Sequence, residues 1–163
     1  MVDLVDDRNS YKIELQIKNK DDNDIYYKRD GQRFDSEYTL KFMVENNYEF
    51  TVTVKPSLPL QSVSVQGSGV SVTDKSQENG SSTYLFSWDS TKIDANKKKD
   101  RNKVQLLLQF QGGLTLVIPL QVKFYKSEDT QHLTWGTPLH HIDYECRVKP
   151  GQTYVDIIKT IFR

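Results

Sequence analysis

The sequence predicts an all-β fold: an antiparallel barrel or flattened sandwich of about nine to ten short strands. Three observations carry that expectation. Apolar and polar residues alternate with period two from Tyr11 to Cys146, turn-forming pairs punctuate the alternation, and no helical crossover separates the apolar runs. A hydrophobic fraction of 36% suffices for such a fold, because a half-buried strand needs an apolar residue only at every second position. The 163 residues suit one domain spanning 1–163, with a flexible acidic N-terminus over 1–10 and an exposed charged loop over 89–103.

The elements follow in order. Tyr11, Ile13, Leu15 and Ile17 alternate with Lys12, Glu14, Gln16 and Lys18 as a first strand. Ile25 to Lys28 forms a short aromatic strand, and Asp30-Gly31 accepts positive φ after it. Tyr38, Leu40, Phe42 and Val44 share one face. Asn46-Asn47 offers a tight turn, and Tyr48, Phe50, Val52 and Val54 share the next face, so 38–55 reads as a hairpin. Pro56 to Pro59 interrupts the ladder. Val63-Val65 and Val70-Val72 flank Gln66-Gly67-Ser68-Gly69 as a second hairpin, and Asn79-Gly80 turns into Thr83–Trp88. Beyond the aperiodic stretch from Asp89 to Asn102, Val104, Leu106, Leu108 and Phe110 resume the alternation. Gln111-Gly112-Gly113 leads into the longest strand, Leu114 to Phe124, with Pro119 on the opposite parity marking an edge or bulge. Residues 126–138 read as a loop, and Ile142, Tyr144 and Cys146 as a further strand. Val155, Ile157, Ile158 and Phe162 are spaced for a short C-terminal amphipathic helix or a final strand, the helix slightly favoured.

Composition excludes several function classes. Lys plus Arg equals 22 and Asp plus Glu equals 22, so no global field draws the chain to nucleic acid or an anionic membrane. The single cysteine, Cys146, forbids an intramolecular disulfide and suits a reducing compartment. The acidic start Met1–Asp7 does not read as a secretory leader, and no apolar run approaches ~18 residues, so the expected location is the cytoplasm. His141 and Asp143 share a strand face, but two convergent ligands fall short of the three or four of a zinc site. Cys146 and His140 lie six residues apart on one strand, roughly 20 Å at the strand rise, out of reach for a nucleophile–base pair. The pairs Asp6-Asp7 and Asp21-Asp22 sit in polar segments with nothing to separate their pKa values. The basic run Lys97 to Lys103 lacks aromatics for stacking on bases. No enzyme signature, metal site or cofactor is implied.

Two stretches are more specific than periodicity. One is Tyr27-Lys28-Arg29-Asp30-Gly31-Gln32-Arg33-Phe34. The other runs from Leu120-Gln121-Val122-Lys123-Phe124-Tyr125 through Trp135-Gly136-Thr137-Pro138 to Ile142-Asp143-Tyr144-Glu145-Cys146. In this order and spacing they resemble the cannabinoid receptor-interacting protein 1 family. The resemblance implies a cytoplasmic, non-enzymatic adaptor that binds the C-terminal tail of the type-1 cannabinoid receptor and tempers its signalling. It also implies a fold similar to the Rho GDP-dissociation inhibitors, which hold a prenyl group between two sheets. A carrier of lipidated cargo is therefore the second reading. A monomer is expected, with no nucleic-acid partner and no membrane span.

The residues that offer binding surface are few. Tyr27 and Phe34 flank the Asp30-Gly31 turn, and Trp135 lies in a polar loop, either as a plug closing one end of the fold or as a partner anchor. The plug is the expectation, since most loop tryptophans bury their rings. Lys28, Arg29, Arg33 and Lys123 offer a cationic patch to an acidic or phosphorylated tail, the alternative being ordinary charged surface.

Overall fold

Successive side chains of a strand point to opposite faces, so each alternating run above has one face that must be covered. In the computed structural model, which describes residues 9–91, 93–95 and 100–163, two sheets cover one another. The strands are β1 (Ser10–Lys18), β2 (Ile25–Arg29), β3 (Tyr38–Met43), β4 (Asn47–Lys55), β5 (Leu60–Val65), β6 (Ser68–Val70) and β7 (Val72–Glu78). They continue with β8 (Ser81–Asp89), β9 (Asn102–Phe110), β10 (Thr115–Tyr125), β11 (Thr137–Leu139), β12 (Ile142–Arg147) and β13 (Asp156–Phe162). One sheet has the order β13-β12-β1-β4-β8-β7 and the other β11-β2-β3-β10-β9-β5-β6. The architecture is a sandwich, not a closed barrel.

The core lies between the sheets and is rich in aromatic rings. Phe42 of β3 stacks on Tyr48 of β4 at 4.4 Å between centroids, and meets Phe50, Trp88 and Phe124 at 6.5, 6.1 and 6.0 Å. Phe50 stacks on Phe86 at 5.2 Å. Tyr48 brings a hydroxyl into this layer, which accepts a hydrogen bond from the Met43 backbone N–H at 2.7 Å. Tyr84 donates to the Leu58 carbonyl at 2.6 Å.

Several expectations need correction. The 38–55 stretch is not a hairpin: β3 belongs to the seven-stranded sheet and β4 to the six-stranded one, so the chain crosses between layers at 44–46. Buried Ser90 holds that crossing, donating to the Met43 carbonyl at 2.8 Å and accepting from the Asn46 N–H at 3.1 Å. The alternation of β3 and β4 fits an arch as well as a hairpin, because both bury one face in the same core. The fold is also not purely antiparallel, since β3 and β10 run parallel from Leu40↔Val122 to Met43↔Tyr125. Thirteen short strands are described rather than nine or ten. Residues 126–138 contain a single helical turn, α1 (Thr130–Leu133), and most of β11.

The C-terminal segment is a strand, not a helix. Ile157, Ile158, Thr160 and Ile161 are β-branched and lose side-chain freedom in a helix, while β12 offers an open edge for pairing. Other readings hold. Asn79-Gly80 turns β7 into β8 with φ of 53° and 76°, and Gln66-Gly67 turns β5 into β6 with φ of 51° and 81°. Ser68-Gly69, however, belong to β6, and Val72 starts β7 in the other sheet rather than continuing Val70. Pro119 lies in an interior strand, but before the point where β3 joins β10, so its missing N–H breaks no bond to β3. The N-terminus over 1–8 and Lys97–Lys99 of the basic run lie outside the described residues.

Because Phe42 is completely buried and touches both sheets, Phe42→Ala should cost ~3–5 kcal/mol. Urea unfolding checks this: the midpoint should fall sharply with the m-value kept.

Candidate functional site

The inward residues of β2, β3 and β10 oblige their neighbours to face outward. Beside inward Phe42 and Phe124 stand outward Lys41 and Lys123, directly opposite one another in the parallel register. Beside Tyr27 stands Lys28, opposite Thr39 on β3. Three lysines thus occupy three neighbouring strands on one outer face, at strand spacings of ~4.8 Å. That face is not left open to water. Lys41 is only 5% exposed, because the segment around α1 folds back over it.

Lys41 ties this segment down. Its Nζ donates to the His132 carbonyl at 2.8 Å and also to the Trp135 carbonyl. Carbonyls at the end of a helical turn have spare acceptor capacity, and the ammonium adds a charged donor to the His132 carbonyl, which also accepts from the Trp135 N–H at 3.3 Å. Gly136 permits the next step. Its φ is +129°, and a Cβ would sit 2.4 Å from the Tyr27 carbonyl oxygen, so only glycine lets the chain approach β2 and pair as β11. The Trp135-Gly136-Thr137-Pro138 motif is therefore a docking device. It leaves Trp135 at the rim, 51% exposed, with its ring edge-on to His132 at 4.6 Å. The plug expected from sequence is not found.

The opposite wall is built on Asp30. Its carboxylate is buried and receives Arg101 Nε at 2.9 Å, Arg101 Nη2 at 3.2 Å and the Thr39 hydroxyl. Burial alone would raise this carboxyl, but the bonds from Arg101 and Thr39 hold it below the ordinary carboxylate value. The Arg101 guanidinium also lies 4.5 Å from the Phe34 ring centroid. Gln121 of β10 donates to Thr39 at 2.9 Å and to the Ser36 carbonyl at 3.0 Å, fastening the 30–37 loop to the sheet.

Between these walls lies a groove of about 770 Å³, lined by Lys28, Arg33, Lys41, Arg101, Lys123 and Lys126, with Tyr125, His132 and Trp135. Burial, then repulsion from Lys28 and Lys123, pushes the Lys41 ammonium down to about 8. Burial, then Arg101 and Lys123, lowers Lys28 as well. The Tyr125 ring lies under both Lys41 and Lys123, at 5.6 and 5.1 Å.

Of the residues singled out from sequence, Lys28, Arg33, Lys123 and Trp135 come together here. Phe34 flanks the groove through Arg101. Arg29 does not line it and pairs with Glu37 at 2.6 Å on the exposed surface. Tyr27 points between the sheets, against Tyr38 and Phe162 at 5.4 and 5.1 Å. Sequence reasoning missed Lys41, Arg101, Tyr125 and His132. Lys41 stands on the polar parity between Leu40 and Phe42, where a solvent-facing residue is the default, and Arg101 lies within the basic run Lys97 to Lys103.

The remaining candidates are placed as follows. Cys146 is buried and its thiol is pushed up to about 12 by burial, leaving little thiolate. His140 is exposed and lies 2.8 Å from Asp24. His141 Nε2 lies 3.4 Å from Glu14 and 3.3 Å from Asp143, whose other oxygen receives Arg163 Nε at 3.0 Å. Glu14 joins this group from across the strand, which local spacing did not reveal.

Gly136→Ala should strip β11 from β2 and cost more than about 1–3 kcal/mol, seen as faster amide exchange in both strands. For Lys41, the folded chain releases its proton near 8 but the unfolded chain only near 10.5. Between these values the unfolded state holds more protons, so stability rises with pH. Cys146, pushed up to about 12 from 9, and Tyr48 and Tyr125, pushed up to about 12 from 10, act in the opposite direction, and comparison with Lys41→Met cancels them. Wild type should therefore gain stability relative to Lys41→Met between pH 8 and 10, measured by urea unfolding.

The family model described as CB1 cannabinoid receptor-interacting protein 1 matches residues 7–162. Proteins of that description from Homo sapiens and Bos taurus are each 33% identical over 144 residues, covering 86% of either chain. One from Mus musculus is 31% identical over the same length. The groove-forming segments all lie inside the matched range, and the chain belongs to the CB1 cannabinoid receptor-interacting protein 1 family.

Proposed function

We propose that this protein is a non-enzymatic, monomeric cytoplasmic adaptor that binds the C-terminal tail of a cannabinoid-type receptor and modulates its signalling. The observation that carries this reading is the groove itself, on a chain whose relatives are named for interaction with that receptor. Lys28, Arg33 and Lys123 offer charge-assisted hydrogen bonds to acidic side chains or a terminal carboxylate, over the field of buried Lys41 and Arg101. Exposed Trp135 beside it has the large apolar contact area of an interface anchor. No cofactor, metal or nucleic acid enters this reading.

A second reading, a carrier of lipidated cargo in the manner of Rho GDP-dissociation inhibitors, is favoured by one observation. A gap of about 290 Å³ opens at one end of the sandwich, lined by Tyr38, Leu40, Leu120, Tyr144, Ile157 and Phe162. Most of its wall is apolar, as an acyl or prenyl chain requires, although Asp35, Ser36, Gln121 and Thr160 share the lining.

Titration of isotope-labelled protein with the receptor tail peptide separates the two. Amide shifts should cluster at Lys28, Lys123 and the Trp135 loop. Trp135→Ala should weaken binding at least tenfold while thermal stability stays within a degree or two, because half the ring is already in water. A flat response to the tail peptide, with shifts around Leu40 and Phe162 on adding a prenylated peptide, would replace the adaptor by the carrier.

A further inference from the structure

The groove holds more positive charge than a carboxylate or a single phosphate can use. Six cations line it, Lys28, Arg33, Lys41, Arg101, Lys123 and Lys126, and Asp129 is the one carboxylate lining it among the described residues. Asp30 lies behind the wall, already engaged by Arg101 and Thr39. Even counting Asp30, the surplus is roughly twice the charge of one phosphomonoester, which carries about −1.5 to −2.

The cations are also arranged in two dimensions. Lys28, Lys41 and Lys123 run across three strands, while Arg33 and Arg101 close one side from the loops. An extended peptide presents same-face charges along a line, about 6.5–7 Å apart. A compact anion presents several on one small body. The cavity, about 770 Å³, lies within the ~300–1,000 Å³ of small-molecule sites. We propose that the groove binds a compact polyphosphate, with three or more phosphate groups on one small scaffold such as a phosphorylated inositol ring.

The recognition follows from the parts. Arg33 supplies a planar fork for phosphate oxygens, and Lys28 and Lys123 act as point charges. Lys41 and Arg101, fixed by their own bonds, contribute field at the floor without rearrangement. Burial and mutual repulsion lower Lys28 and Lys41, and a bound polyanion relieves that repulsion. The polyphosphate site stands without the adaptor reading. Only its corollary, that the polyphosphate and the receptor tail exclude one another from the groove, rests on that reading.

Isothermal titration calorimetry of the full chain with inositol trisphosphate and inositol hexakisphosphate tests the site. Saturable one-to-one binding is expected, reduced about tenfold or more in Lys28→Gln/Lys123→Gln. A matched control, Lys12→Gln/Lys55→Gln, removes the same charge from a cross-strand pair in the other sheet and should bind as wild type does. Unchanged melting temperatures would exclude unfolding as the cause. Absence of saturable heat, equal losses in both variants, or inorganic sulfate binding as tightly would overturn the proposal. So would tighter binding by a singly phosphorylated peptide.

Two further arms complete the test. Co-sedimentation with phosphatidylcholine vesicles containing phosphatidylinositol bisphosphate, reversed by inositol hexakisphosphate, would assign the ligand to a lipid headgroup. Binding in solution without co-sedimentation would assign it to a soluble polyphosphate. Displacement of the tail peptide supports the corollary. A peptide that fails to bind defeats the adaptor reading and leaves the calorimetric result standing.

Discussion

The packing of Phe42 between the two sheets fixes more than the core. Its ring meets Tyr48, Phe50, Trp88 and Phe124, so β3 cannot slide by one residue without turning that ring to the outside. The same constraint applies to Phe124 on β10 and Tyr27 on β2. Each of these inward rings is followed or preceded by an outward lysine, and the three lysines form the floor of the groove. A register slip would drive Lys28, Lys41 and Lys123 into the apolar layer, at a desolvation cost far larger than the packing lost. Core and groove are two faces of one register.

Local charge in this molecule is independent of global charge. The chain is formally neutral, yet one concave surface gathers six cations around a buried carboxylate. Asp30 lets this happen, because its bidentate partner Arg101 would otherwise add to the repulsion. The sandwich then supplies the low-dielectric backing that makes each remaining cation count for more than it would on a flat surface. A neutral average charge is thus a poor guide to what such a surface attracts.

Much of the fold was legible in the residues. The alternation in Leu15, Phe50, Leu106 and Ile118 reports burial directly, and all four are fully buried. The Asn79-Gly80 turn reports its own backbone. What was not legible was the partner of each strand. Alternation is identical whether β3 turns back on itself or crosses to the other layer, so the 44–46 arch was invisible. For the groove, Lys28, Arg33 and Lys123 stood out through charge, but Lys41 did not. Its burial depends on a segment about ninety residues away folding over it, and on Gly136 allowing that approach. Tyr27 and Arg29 were misplaced for a simpler reason: they share the opposite parity to Lys28.

The pairing of β1 with β12 has a kinetic side. β1 lies between β4 and β12, and Ser10 faces Arg147 across that ladder. β3 likewise waits for β10, since Leu40 pairs with Val122. Contacts so distant along the chain must close large loops before they return any stabilisation, and this places the domain among slow folders of high contact order. During synthesis, most of both sheets has been made before β12 emerges, and until then β1 stands as an open edge. A strand made late seals the one made early, and β13 then covers β12 in turn.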